Sequence, residues 1–257
     1  MANEIQVSNN NKITSVAQLI HNETFLKKAN DVLGSGTQQF MSSVLSLTNS
    51  NPELQKCDPI KLYNVCLMSA AIKLPFNQNL GQAYIIAYKG EPQLQIGWKG
   101  FVQLAQRSGQ FKTINCTDVR EGEIKKNDRL TGEIEFEWIE DEAARDKAPV
   151  IGYVAFFELL NGFRKMLYMT RAELDSHAKR YSQTYRKGYG VWKDNFDAMA
   201  QKTVIKLILN KYAPLSVDMQ KAIELDQADD EGEYVDNKPS VEIVEAELGE
   251  SEEDKSE

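Results

Sequence analysis

Along the first third of the chain, apolar residues recur at the three- and four-residue spacing of a buried helix face. Residues 13–20 and 23–33 carry the pattern, "GSG" at residues 34–36 breaks it, and "QQFMSSVLSLTNS" resumes it until Pro52. In "DPIKLYNVCLMSAAIKLPF" both ends of a helix are marked. Asp58 is placed as the N-cap, Pro59 occupies the first helical position where no amide partner is needed, and Pro75 closes the run. This part is predicted to be mostly helical.

The period changes at "GQAYIIAYKGEPQLQIGWKG". Residues 83–88 and 92–96 alternate as strands, and "KGEP" between them signals a hairpin. A helix then fits residues 98–108, with Trp98, Phe101 and Ala105 on its buried face and Lys99, Gln103 and Gln106 on another. "FKTINCTDVRE", "EIEFEWIE", "VIGYVAFFEL" and "FRKMLYMT" predict further strands, with glycine-bearing turns at "LTGE" and "LNGF". Helical spacing returns in "RAELDSHAKRY" and in residues 194–211. In the latter, Phe196, Ala200, Thr203, Val204 and Leu207 share one face, while Lys202 and Lys206 share another.

The expected fold is therefore α+β: a helical N-terminal part, then a central meandering antiparallel β-sheet packed with helices. One folded domain is expected over residues 13–223. The Asn-rich residues 1–12 and the aromatic-poor, acidic residues 224–257 are expected to be disordered, because neither can bury enough apolar surface.

Charge sharpens this picture. The net charge of the 257 residues is -8, yet residues 224–257 hold 15 acidic against 2 basic side chains. Residues 1–223 hold 28 basic and 23 acidic ones, so a mildly basic body carries an acidic tail. Within the body, the cations concentrate between Arg164 and Lys211.

Several function classes lack their residues. No GxxxxGK[ST], GxSxG, HExxH or EF-hand loop occurs, and "GSG" is no dinucleotide fingerprint. Cys57, Cys66 and Cys116 form no CxxC pair, and with only His21 and His177 beside them they imply reduced thiols rather than a metal site. No cofactor is implied. Glu133, Glu135 and Glu137 alternate on one face of a strand, which suits a wet acidic face. The polar N-terminus has no apolar signal segment, and the most apolar helical run, residues 62–72, is shorter than the ~20 residues of a membrane span. A cytoplasmic chain with no membrane partner is expected.

What is present suits single-stranded nucleic acid, which needs cations along a groove and flat side chains for stacking. One candidate group is Gln95, Trp98, Lys99 and Arg107 in "QIGWKGFVQLAQRSG", where Gly97 and Gly100 allow a close backbone approach. The other begins with Arg164 and Lys165 and continues through "HAKRYSQTYRKGYGVWKDNFDAMAQKTVIKLILNKY". It places Lys179, Arg180, Arg186, Lys187, Lys193, Lys202 and Lys206 among Tyr181, Tyr185, Tyr189 and Trp192. The Lys202 and Lys206 face is expected to line the groove.

The block "GQAYIIAYKGEPQLQIGWKGFVQLAQRSG", followed by "HAKRYS" and "WKDNFDAMAQKTVIKLILNKYAPLS", resembles the RecT family of phage and prophage recombinases over residues 13–216. Many relatives have a proline immediately before the tryptophan of the second block, where this chain has Val191. The resemblance implies an ATP-independent single-strand DNA annealing protein, not an enzyme. Such a protein coats single-stranded DNA exposed by a companion 5′→3′ exonuclease, pairs it with a complementary strand into an annealed duplex intermediate, and assembles as a ring or helical filament. The acidic tail would contact the exonuclease or the host single-strand-binding protein, or compete with DNA for the groove. Two alternatives stay open: a single-strand-binding protein without annealing activity, and a metal-dependent DNA-processing enzyme using Glu133, Glu135 and Glu137.

Overall fold

The computed structural model describes residues 13–128 and 130–230, the side chains of 227–230 excepted. The expected disorder of residues 1–12 and of 231–257 lies outside the described residues.

The N-terminal third is helical: α1 (Val16–Leu19), α2 (Glu23–Leu33), α3 (Thr37–Ser50) and α4 (Pro59–Ala71). Local chemistry starts α4 as the sequence predicts. The Asp58 carboxylate accepts from the backbone amides of Ile60 and Lys61, both at 2.9 Å, with Pro59 in the first turn. Tyr63 of α4 is fully buried; its hydroxyl donates to the Phe25 carbonyl at 2.7 Å and its ring takes Phe25 and Phe40 edge-on.

Next, β1 (Ala83–Tyr88) and β2 (Glu91–Ile96) form an antiparallel hairpin turned by Lys89 and Gly90, both at positive φ. Its inner face, Ala83, Ile85, Leu94 and Ile96, is buried, leaving Tyr84, Ile86, Tyr88, Gln93 and Gln95 only partly buried on the outer face. The helix α5 (Trp98–Arg107) follows without a loop. Its approach to the hairpin's entry strand requires glycine. A Cβ on Gly97 would lie 2.2 Å from the Gly81 carbonyl oxygen, and one on Gly100 would lie 2.2 Å from that of Gln82.

The remaining strands are β3 (Phe111–Arg120), β4 (Ile124–Asn127), β5 (Ile134–Phe136), β6 (Val150–Leu159) and β7 (Arg164–Thr170), with α6 (Glu142–Lys147) between β5 and β6. The chain closes with α7 (Arg171–Tyr181), α8 (Gln183–Arg186), α9 (Val191–Asp194), α10 (Phe196–Tyr212) and α11 (Val217–Asp230). Helix α10 packs on the β3–β6–β7 sheet and on α5. There the buried Tyr153 donates its hydroxyl to Asp197.

The α+β class, with antiparallel strands and packing helices, agrees with expectation. The strands, however, are divided among three antiparallel sheets, β1–β2, β3–β6–β7 and β4–β5, rather than strung into one meander. The reason lies in β4, β5 and α6, which occupy the connection between the paired strands β3 and β6. A buried carboxylate anchors that insertion. Glu123, fully buried, accepts from the Arg120 amide and from Arg145 Nε, each at 2.7 Å.

The C-terminal boundary also moves. Helix α11 runs past residue 223, burying Met219, Ala222, Ile223 and Asp226, so the first acidic residues of the expected tail belong to the folded body.

The glycine contacts generate a test. Gly100→Ala forces its methyl into a backbone carbonyl and is expected to lower unfolding stability by about 1–3 kcal/mol, the usual cost of overpacking. Gly36→Ala, at φ -77 with its nearest contact at 3.8 Å, should be neutral or slightly stabilising. Urea titration of both variants makes the comparison.

Candidate nucleic-acid interface

The sequence offered many cations, and the fold separates those that hold the body together from those that face solvent. Arg107 belongs to the first kind. Its guanidinium donates to the Lys73 carbonyl at 2.8 Å and the Ile72 carbonyl at 2.6 Å, closing the C-terminal end of α4. It also lies 3.8 Å from Asp218 of α11. Its donors thus have partners at helix ends, while the residue itself stays exposed.

Lys202 and Lys206 are engaged more deeply. One helical turn apart on α10, both ammonium groups donate to the carboxylate of Asp226 on α11, each at 2.7 Å. The same carboxylate accepts from the Ile96 amide at 3.1 Å, at the end of β2. Asp226 is 1% exposed and the two lysine side chains 15% and 13%. The lysine face therefore meets α11 rather than an open groove. Burial pushes the Asp226 carboxyl upward, but Lys202 and Lys206 outweigh it and hold the group below the ordinary carboxylate value of 3.8.

Trp192 is likewise inside. It is 7% exposed and wedged between His177, Tyr185 and Phe196, with ring centroids at 6.3, 6.1 and 5.4 Å. No face is left for a base, and the tryptophan instead pins α7, α8 and α9 onto the start of α10. Asp175 supports the same unit, accepting from Tyr185 at 2.7 Å and pairing with Lys179 at 2.6 Å. These hydrogen bonds, from Lys179 first and Tyr185 second, hold its carboxyl below the ordinary range. Lys165 is partly buried, donating to the Thr131 carbonyl at 3.0 Å with its ammonium over the Tyr212 ring.

The solvent-facing set is smaller. On the α7–α9 unit, Lys179, Arg180, Tyr181, Arg186, Lys187, Tyr189 and Lys193 are exposed, with Arg180 over the Tyr181 ring. Arg164 is exposed at the start of β7. On α5, Lys99 is exposed beside a partly buried Trp98, its ammonium 5.9 Å from the ring. Trp98 thus sits nearer the surface than Phe101, Leu104 and Ala105, which fill the core below. Gln95 lies on the outer hairpin face opposite Tyr84.

The two groups meet through residues absent from the sequence-based set. The Tyr88 hydroxyl reaches the Gln183 side chain of α8 at 3.5 Å, so the outer hairpin face adjoins the basic unit. The alternation of Tyr84, Ile86 and Tyr88 was the available signal. Asp226 gave none, since its pattern is that of a solvated tail. Among the described residues no group of three or more His, Cys, Asp or Glu side chains could hold a metal ion, and Glu137 pairs with Lys125 at 3.3 Å. No described helix is long and apolar enough to cross a membrane.

The Asp226 cluster makes a testable prediction. Asp226→Ala leaves two ammonium groups without their shared carboxylate and is expected to cost about 3–5 kcal/mol. Because the folded-state pKa is depressed, the wild-type advantage over Asp226→Asn is full above the ordinary carboxylate value near 3.8 and is lost as pH falls below it. Denaturant midpoints measured from pH 7 to pH 3 check both statements.

Comparison with known proteins adds an independent line. Residues 38–242 match the RecT family. The uncharacterized protein YqaK of Bacillus subtilis (strain 168) is 44% identical over 230 residues, 89% of this chain and 78% of that one. Protein RecT of Escherichia coli (strain K12) is 28% identical over 190 residues, 68% of this chain and 66% of its own. The matched span takes in the hairpin, α5, the β3–β6–β7 sheet and the whole basic unit, and on that extent the chain belongs to the RecT family.

Proposed function

We propose that the chain is an ATP-independent single-strand annealing protein of the phage recombination type. It coats single-stranded DNA and pairs it with a complementary strand, working as a homo-oligomeric ring or helical filament in the cytoplasm of a bacterial host. Family membership supports this reading. The observation that carries it is the array of exposed cations on α7–α9, which the Tyr88–Gln183 contact joins to the outer hairpin face.

The mechanism follows from where charge is spent. Lys99, Arg186, Lys187 and Lys193 face solvent on packed elements, so they can neutralise phosphates with little rearrangement of the body. Contacts to the backbone hold a strand without occupying its base edges, which a protein that tests complementarity must leave available. Pairing of the second strand then supplies the free energy, and the protein offsets the repulsion between the two backbones. In this reading a companion 5′→3′ exonuclease supplies the single strand. The host single-strand-binding protein is the competitor or partner met on it.

Replacing Arg186, Lys187 and Lys193 together by alanine is expected to weaken binding to single strands of every sequence. If each cation contacts one phosphate, the slope of log affinity against log salt flattens by roughly 2 units, at about 0.7 per contact. Fluorescence anisotropy across a salt series measures this. Annealing of complementary oligonucleotides without nucleotide, followed by energy transfer, separates an annealing protein from one that only binds. An unchanged slope with unchanged annealing would remove these residues from the interface.

A further inference from the structure

Tyr84 and Tyr88, on the outer face of the β1–β2 hairpin, have no role in the reading so far, although the composition of that face is unusual for a merely solvated surface. Tyr84, Ile86 and Tyr88 alternate along β1, opposite Gln95, Gln93 and Glu91 on β2. The core is served by the other face, where Ala83, Ile85, Leu94 and Ile96 are buried. The two tyrosines are therefore not needed to fill the interior. Each is only partly buried, yet both are held. The Tyr84 ring lies against the glycines that follow it in space: a Cβ on Gly97 would be 3.1 Å from its Cε2 and one on Gly81 3.3 Å from its hydroxyl. Tyr88 touches Gln183 through its hydroxyl.

Cations stand at both ends of this face. The Lys89 ammonium is 5.2 Å from the centroid of the Tyr88 ring. At the other end, the stem of Lys99 runs past Gly81 beside Tyr84. Arg186 follows Gln183 by three positions on α8, which places it near the same side of the helix, and Lys187 caps that helix. Flat rings between flanking cations, with glutamine amides alongside, match the chemistry of an unpaired polynucleotide.

We propose that Tyr84 and Tyr88 form a base-stacking platform for single-stranded DNA, with Lys89 and Lys99 taking the phosphates on either side. The assignment rests on the single-strand annealing reading above and names the residues that contact bases within it. Four residues of strand separate the two rings by roughly 14 Å. That is about the length of four nucleotides at the ~3.4 Å advance of one strand in a duplex. Stacking on a tyrosine ignores base identity because every base presents a π face, so the platform holds any sequence and leaves hydrogen-bonding edges outward. Rings already held, Tyr84 against Gly81 and Gly97 and Tyr88 at Gln183, lose little freedom when a base lands on them.

The test pairs ring removal with base removal. Tyr84→Leu/Tyr88→Leu should bind a dT oligonucleotide at least tenfold more weakly than wild type, with an unchanged salt slope, while Tyr84→Phe/Tyr88→Phe keeps wild-type affinity. On an oligonucleotide carrying abasic positions, wild type and the leucine variant should bind alike. Ultraviolet cross-linking of wild-type protein to a bromodeoxyuridine oligonucleotide needs no variant and should mark a peptide containing Tyr84 or Tyr88. Equal binding of dT by wild type and the leucine variant, or cross-links confined to other peptides, would overturn the platform while leaving the annealing reading intact. If wild-type protein binds no single strand at all, the annealing reading fails and the platform with it.

Discussion

Asp226 accepts from two ammonium groups and a backbone amide at a place almost closed to water, and much of the molecule is fixed by that arrangement. Burying charge is costly, and the cost is met only where geometry supplies several partners at once. Here the partners come from α10 and from the end of β2, while the carboxylate comes from α11. The consecutive helices α10 and α11 are thereby held in one relation with β2, a hundred residues and more upstream. Since β2 runs directly into Gly97 and α5, the same contact also sets the hairpin against α5 and turns its tyrosine face outward.

The fold resolves a surplus of cations by giving them different work. Arg107 closes α4, Arg145 satisfies the buried Glu123, and Lys202 with Lys206 holds α11. Glu123 and Asp226 are almost closed to water, so a passing phosphate would have to displace a better-placed acceptor from Arg145, Lys202 and Lys206. Lys99, Arg186, Lys187 and Lys193 remain in water, where a cation costs little and is attracted to a polyanion over a distance set by salt. Lys99 stands beside Tyr84, and the Tyr88–Gln183 contact brings α8 to the same hairpin face.

Several elements could be read from periodicity alone. The alternation in "AYIIAY" and "VIGYVAFFEL" and the helical spacing of "RAELDSHAKRY" coincide with β1, β6 and α7, and Asp58 caps α4 as expected. These features depend on neighbours within a few residues, so the sequence carries them directly. The partition into three sheets depends instead on which strand edges meet. That choice is made by the placement of β4, β5 and α6, and by α11 covering the hairpin.

The candidate site divides along the same line. The sequence by itself determined that a basic, aromatic-rich segment and the hairpin with α5 stand in the order of the RecT family, because residue types and motif order are written in the chain. Only the tertiary structure decided that Trp192 is interior, that Lys202 and Lys206 face a carboxylate, and that Tyr84 and Tyr88 are left outward. A lysine on a helix face looks the same whether water or a distant acid covers it. Asp226 lies 24 residues from Lys202, and nothing short of the packed fold brings them together.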